Sequence, residues 1–166
     1  IIGTADVIGA AQRNATAVVI PARYRIVQFA FDIDRLRDIV LISYQTHPRV
    51  QDTLLHVWGG SSWIEIGIDR YELGSFLKIR PERLILIGSD DDMPSDLLDA
   101  SEWAADVERI KTLDLVTLAN SLGTSFGFKR AEWNWIADRY DLKISDMNWK
   151  HRRYGRWGAP GQDPVR

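Results

Sequence analysis

Residues 82–120, ERLILIGSDDDMPSDLLDASEWAADVERIKTLDLVTLAN, alternate short apolar runs with helix-forming stretches. Leu84 to Gly88 has the β-branched, unbroken apolar character of a buried strand. A helix is expected from Pro94 towards Ala100, a second strand at Val107 to Ile110, and a helix over Leu113 to Leu122 stopped by Gly123. Short apolar strands separated by helices argue for a parallel sheet with right-handed crossovers, because a crossover helix can return the chain to the end of the sheet where it began. The same order is read upstream. Ala15 to Ile20 (ATAVVI) is expected as a strand closed by Pro21, and Ile39 to Tyr44 (IVLISY) as the next.

Tyr24 to Arg37, between those strands, admits two periods. Phe29, Phe31 and Ile33 alternate with Ala30, Asp32 and Asp34, as in a strand. Arg25, Gln28, Asp32 and Arg35 instead recur at helical intervals and form one polar stripe. The helix is preferred because it completes a strand–helix–strand unit, and it sends Asp32 towards solvent. Leu54 to Trp58 and Trp63 to Ile66 flank Gly59-Gly60-Ser61-Ser62 and read as a β-hairpin. A short helix is expected at Asp69 to Phe76, ending near Gly74, and helices continue from Lys129, the last capped by Ser145 and running to about Tyr154. The expected fold is α/β: a doubly wound, three-layer parallel sheet of about four strands, with an inserted hairpin and extra C-terminal helices. One domain over 1–158 and a flexible tail over 159–166 complete the expected organisation.

Composition narrows the classes of function. A chain of 166 residues with 45% hydrophobic content supports one packed core. The net charge of −2 argues against the whole-domain basic surface that drives non-specific nucleic-acid binding, and no specific nucleic-acid partner is expected. Zero cysteines exclude disulfides and thiolate metal sites, and no apolar run is long enough to span a bilayer. The chain opens on Ile1 rather than Met, so processing or truncation has removed its natural start; loss of a signal peptide and simple trimming would look the same, and an extracytoplasmic protein is the expectation. The seven tryptophans are dense for this length and fit either a tightly packed core or exposed recognition of sugar or protein.

The leading candidate site is the acidic turn Ser89-Asp90-Asp91-Asp92. Carboxylates at the carboxyl end of a strand can hold a cation, accept from a ribose hydroxyl, or cap the helix that follows Pro94. Asp32 and Asp34 together with these acids suggest a second scheme, similar to haloacid-dehalogenase-type phosphatases, in which Asp32 is the nucleophile and Asp34 the general acid. The hydroxyl residue expected after the Asp pair is replaced by Arg35, Leu36 and Arg37. His47, His56 and His151 lack ligand spacing, and Ser43, Ser61, Ser62 and Ser125 lack the glycines of a nucleophile elbow. Trp58 and Trp63 bracket the hairpin turn and serve either as a stacking platform or as the hairpin's anchor. At the C-terminus Arg152, Arg153, Tyr154, Arg156 and Trp157 interleave cations with rings, a pattern suited to docking a protein partner or another subunit.

The run from Glu82 to Ala119 resembles one unit of the type 2 cell-wall-binding repeat of bacterial surface proteins. The resemblance is carried by Leu84 to Gly88, Pro94 to Ala100, Val107-Glu108-Arg109-Ile110, Asp114 and Thr117, with Ala17 to Tyr44 matching the unit's strand–helix–strand opening. The family's paired glycine is Gly88-Ser89 here, and its Arg-Tyr signature after the Asp is absent. The resemblance implies a Rossmann-like module of the cell envelope that works by binding. The expected function is therefore a non-catalytic, extracytoplasmic binding or assembly module without a cofactor or metal. Its expected partners are a protein or an envelope polymer. The alternatives are a divalent-metal-dependent phosphoester hydrolase and an accessory subunit, homo-oligomeric or within a larger complex.

Overall fold

The computed structural model describes residues 16–46 and 52–143. The chain divides into two compact units, Ile1–Lys111 and Thr112–Arg166. The first is built on a six-stranded mixed sheet of order β4-β3-β2-β1-β5-β6. Its strands are β1 (Thr16–Pro21), β2 (Val40–Thr46), β3 (Thr53–Trp58), β4 (Trp63–Ile66), β5 (Arg83–Ile87) and β6 (Asp106–Ile110). Its helices are α1 (Tyr24–Leu36), α2 (Ile68–Glu72) and α3 (Ser95–Asp99).

β2, β1, β5 and β6 run parallel, joined as the apolar runs require. The expectation of about four strands undercounts the sheet. The hairpin β3–β4 is not set apart as an insertion. It pairs antiparallel with β2 through Ile42↔Val57 and Tyr44↔Leu55, and so widens the same sheet. That placement follows from the side chains: Leu55, Val57 and Ile66 continue the apolar row begun by Ile42 and satisfy it by burial.

Strand alternation divides the sheet residues between two faces. Ala17, Val19, Val40, Ile42, Leu84 and Leu86 share one cluster with Tyr71 of α2 and with Leu97 and Ala100 at α3. Two hydrogen bonds fix those helices, Thr53 Oγ1 to Asp96 Oδ1 at 2.9 Å and a 2.7 Å bond between the Tyr71 and Ser101 hydroxyls. On the other face α1 packs against β1 and β2, burying Ile26, Phe29, Ala30 and Ile33. Asp32 is buried with them rather than turned to solvent as the polar stripe suggested, and pairs with Arg35 one turn on.

The outermost parallel strand, β6, is charged along its length. Arg83 of β5 bridges to Asp106 and Glu108 of β6, while Arg109 reaches Asp90.

The second unit contains α4 (Leu115–Phe126) and α5 (Arg130–Tyr140). The Asp114 carboxylate caps α4 by accepting from the Thr117 N–H at 2.9 Å. Gly123 does not stop this helix. It lies inside α4, where a Cβ would strike the Trp133 ring, and the left-handed C-cap is Gly127 at φ 62°. The Glu132 carboxylate accepts from the Lys129 N–H at 2.7 Å at the start of α5. Ser145 and the helix expected after it lie outside the described residues, as does the 159–166 tail.

Candidate ligand-binding face

After β1 the chain passes through α1 to β2 on one side, whereas after β5 it passes through α3 to β6 on the other. The two loops therefore part company between β1 and β5, which leaves a crevice at the carboxyl ends of these strands. Arg23 from the first loop and Asp92 from the second close across it, Nη2 to Oδ1 at 2.5 Å. Asp92 is the less exposed partner and also accepts from the Ser89 hydroxyl at 2.6 Å. The Ser89 hydrogen bond, followed by the Arg23 charge, holds its carboxyl below the usual carboxylate range.

Tyr44 forms the floor beneath this pair. Its hydroxyl donates to the Ile87 carbonyl at 3.0 Å, and burial pushes its pKa up to about 12. Gly88, at φ +146°, leaves the strand directly beneath that hydroxyl; any Cβ there would fall on the Tyr44 oxygen. Arg23, Tyr44, Gln45, Thr46 and Asp92 line a depression of about 190 Å³.

The acidic turn is thus ordered by ion pairs. Asp90 accepts from Arg109 at 2.8 Å and Lys111 at 3.2 Å, hydrogen bonds that keep its carboxyl below the usual range. Asp91 is exposed. None of the three acids caps α3: its N-cap is Pro94, without a side-chain cap, and the N–H of Leu97 is taken by Asp96. Asp34 accepts from the Ile39 N–H at 3.0 Å, and desolvation raises its carboxyl. Asp32, Asp34, Asp90 and Asp92 each have separate partners. Among the described residues no three His, Cys, Asp or Glu side chains are grouped to hold a metal ion.

A second groove, of about 370 Å³, opens beside the first, between α1 and the β2–β3–β4 arm. Tyr24 and Val27 of α1, Ser43 and Gln45 of β2, His56 of β3 and Trp63 of β4 line it. Ser43 and His56 are directly opposed in the β2–β3 register, so both stand on this face. Trp58 and Trp63 are opposed across the hairpin, 5.5 Å apart, and both pack edge-on to Phe31 of α1 at 5.0 and 5.7 Å. Trp58 anchors the hairpin; Trp63 does so while also forming a wall of the groove.

Sequence reading singled out Ser89, Asp90, Asp91, Asp92, Trp58 and Trp63, but not Arg23, Tyr24, Tyr44 or Gln45. Ser43 and His56 have neither catalytic nor ligand spacing in the sequence. Their signal was present as single polar residues in otherwise apolar strands, IVLISY and LLHVW. Arg152, Arg153, Tyr154, Arg156 and Trp157, like His47 and His151, lie outside the described residues. Among the described residues no helix is long and apolar enough to cross a membrane. No family model, curated protein or solved structure matches the chain significantly.

Proposed function

We propose that the chain is a non-catalytic binding module of the cell envelope. On this reading its first unit is a doubly wound α/β sheet that meets a protein or polymer of the envelope at the carboxyl ends of β1 and β5. The observation that carries the reading is the Arg23–Asp92 pair spanning the parting of two crossovers above a polar depression. Arg23 keeps 60% of its side chain exposed, so its guanidinium is available to an incoming acceptor while Asp92 holds it in place. The acidic carboxylates serve as partners for Arg23, Arg109 and Lys111, an arrangement that positions cations for recognition. The extracytoplasmic setting is supported by the resemblance of residues 82–119 to the cell-wall-binding repeat.

The test is sedimentation of the purified full chain with envelope polymer prepared from the source cells. The wild-type chain is expected in the pellet, and Arg23→Glu, which sets two carboxylates against each other across the crevice, is expected largely in the supernatant. Wild-type protein that stays in the supernatant, or a pellet fraction that Arg23→Glu leaves unchanged, contradicts the proposal.

A further inference from the structure

The groove between α1 and the hairpin arm has a different chemistry from the crevice. Of its lining side chains Tyr24, Val27, Ser43, Gln45, His56 and Trp63, none is Lys, Arg, Asp or Glu. A ligand bearing phosphate or carboxylate would find no guanidinium or ammonium there to balance it. What the groove offers is two aromatic rings and a strand-borne row of hydrogen-bond donors and acceptors. Ser43 is the telling member. It is only 5% exposed, yet its hydroxyl makes no hydrogen bond to any described residue. Lining the groove, that hydroxyl is open to a hydrogen bond from whatever enters it.

We propose that this groove binds one ring of a neutral glycan. A pyranose has an apolar face of C–H groups and a rim of hydroxyls, and so suits an aromatic wall together with side chains that donate and accept hydrogen bonds. Trp63 and Tyr24 supply the wall; Ser43, Gln45 and His56 supply the polar row. Trp63 is braced by Phe31 and Trp58, so little side-chain freedom remains to be lost when a ring stacks on it. Tyr24 stands 85% exposed at the first turn of α1, which leaves its ring open to an incoming ligand. A volume of about 370 Å³ falls at the small end of ligand sites, the scale of a ring or two rather than of a folded partner. The assignment rests on the binding-module reading for its setting, and on these residues alone for its chemistry.

The test applies the full chain to an array of immobilised neutral and anionic glycans. The strongest neutral binder is then titrated in solution by indole fluorescence. Saturable binding of a neutral glycan is expected, weakened about tenfold by Tyr24→Ala and about fivefold by Ser43→Ala. Both variants should keep the wild-type melting temperature, because neither side chain holds a hydrogen-bond partner among the described residues. An array without a neutral hit, or affinity indifferent to both groove variants, overturns the proposal. If envelope sedimentation survives that result, the sugar assignment falls and the module reading stands. If glycan binding persists while sedimentation fails, the groove assignment stands without the envelope.

Discussion

The strands β2, β3 and β4 carry two unlike surfaces on one backbone. On one face Ile42, Leu55, Val57 and Ile66 are sealed beneath α2 and α3, with exposures of 3% or less. On the other, the intervening residues Ser43, Gln45, His56 and Trp63 line an open groove beside α1. A strand alternates by geometry, so stability and recognition are divided residue by residue instead of segment by segment. The sealed face should therefore respond strongly to small changes in volume, and the open face hardly at all.

Leu55→Ala makes the most direct attack on the sealed face. It should cost about 3 kcal/mol and lower the melting temperature by roughly 10 °C in calorimetry. Ser43→Ala, on the same sheet and facing the other way, should stay within about 0.5 kcal/mol of wild type. Equal losses would end the division of labour. Gly88→Ala comes next, at about 2 kcal/mol, because it forces a Cβ into a left-handed backbone position already occupied by the Tyr44 hydroxyl. Urea denaturation will measure it, and Tyr44→Phe should recover part of the loss by removing the oxygen.

Alkaline titration sharpens the comparison further, because the sealed face holds both perturbed tyrosines. Burial pushes Tyr44 and Tyr71 up to about 12. Between pH 10 and 12 the unfolded chain releases protons that the folded chain retains. Each phenol therefore contributes stability below pH 10 that is lost as pH rises through 12, at about 1.4 kcal/mol per pH unit. Tyr44→Phe should make the decline in urea midpoint between pH 10 and 11.5 visibly shallower; an unchanged slope would mean that Tyr44 ionises normally. The smallest effect belongs to Arg23→Ala at the mouth of the crevice, about 0.5 kcal/mol and fading in high salt, because the arginine is largely solvated.

Much of this architecture was legible in the sequence because burial writes a strong signal. The runs Ala15 to Ile20, Ile39 to Tyr44, Leu84 to Gly88 and Val107 to Ile110 each fall on one of the four parallel strands, and WGGSSW placed the hairpin turn. The helix over Tyr24–Leu36 was recovered by its polar stripe even though one residue of that stripe, Asp32, is buried. What stayed hidden needed tertiary context. Gly123 reads as a helix stop until Trp133 is seen against its bare Cα. Arg23 and Asp92 lie 69 residues apart, and nothing in one dimension announces that two crossovers diverge between them. Among the candidate residues, the acidic turn was found by composition, whereas Tyr24 and Ser43 are ordinary residue types made notable only by the face they occupy.

The row of formal charges on β6 has a consequence for the chain's behaviour in crowded solution. A bare sheet margin offers hydrogen-bonding groups to any extended polypeptide that drifts alongside. Here Asp106, Glu108 and Arg109 crowd that margin, already engaged by Arg83 and Asp90. An intruding strand would have to strip water from these ions or pull apart their pairs. The far border of the sheet is guarded differently, by brevity: β4 extends only from Trp63 to Ile66 and gives a docking strand little to grip.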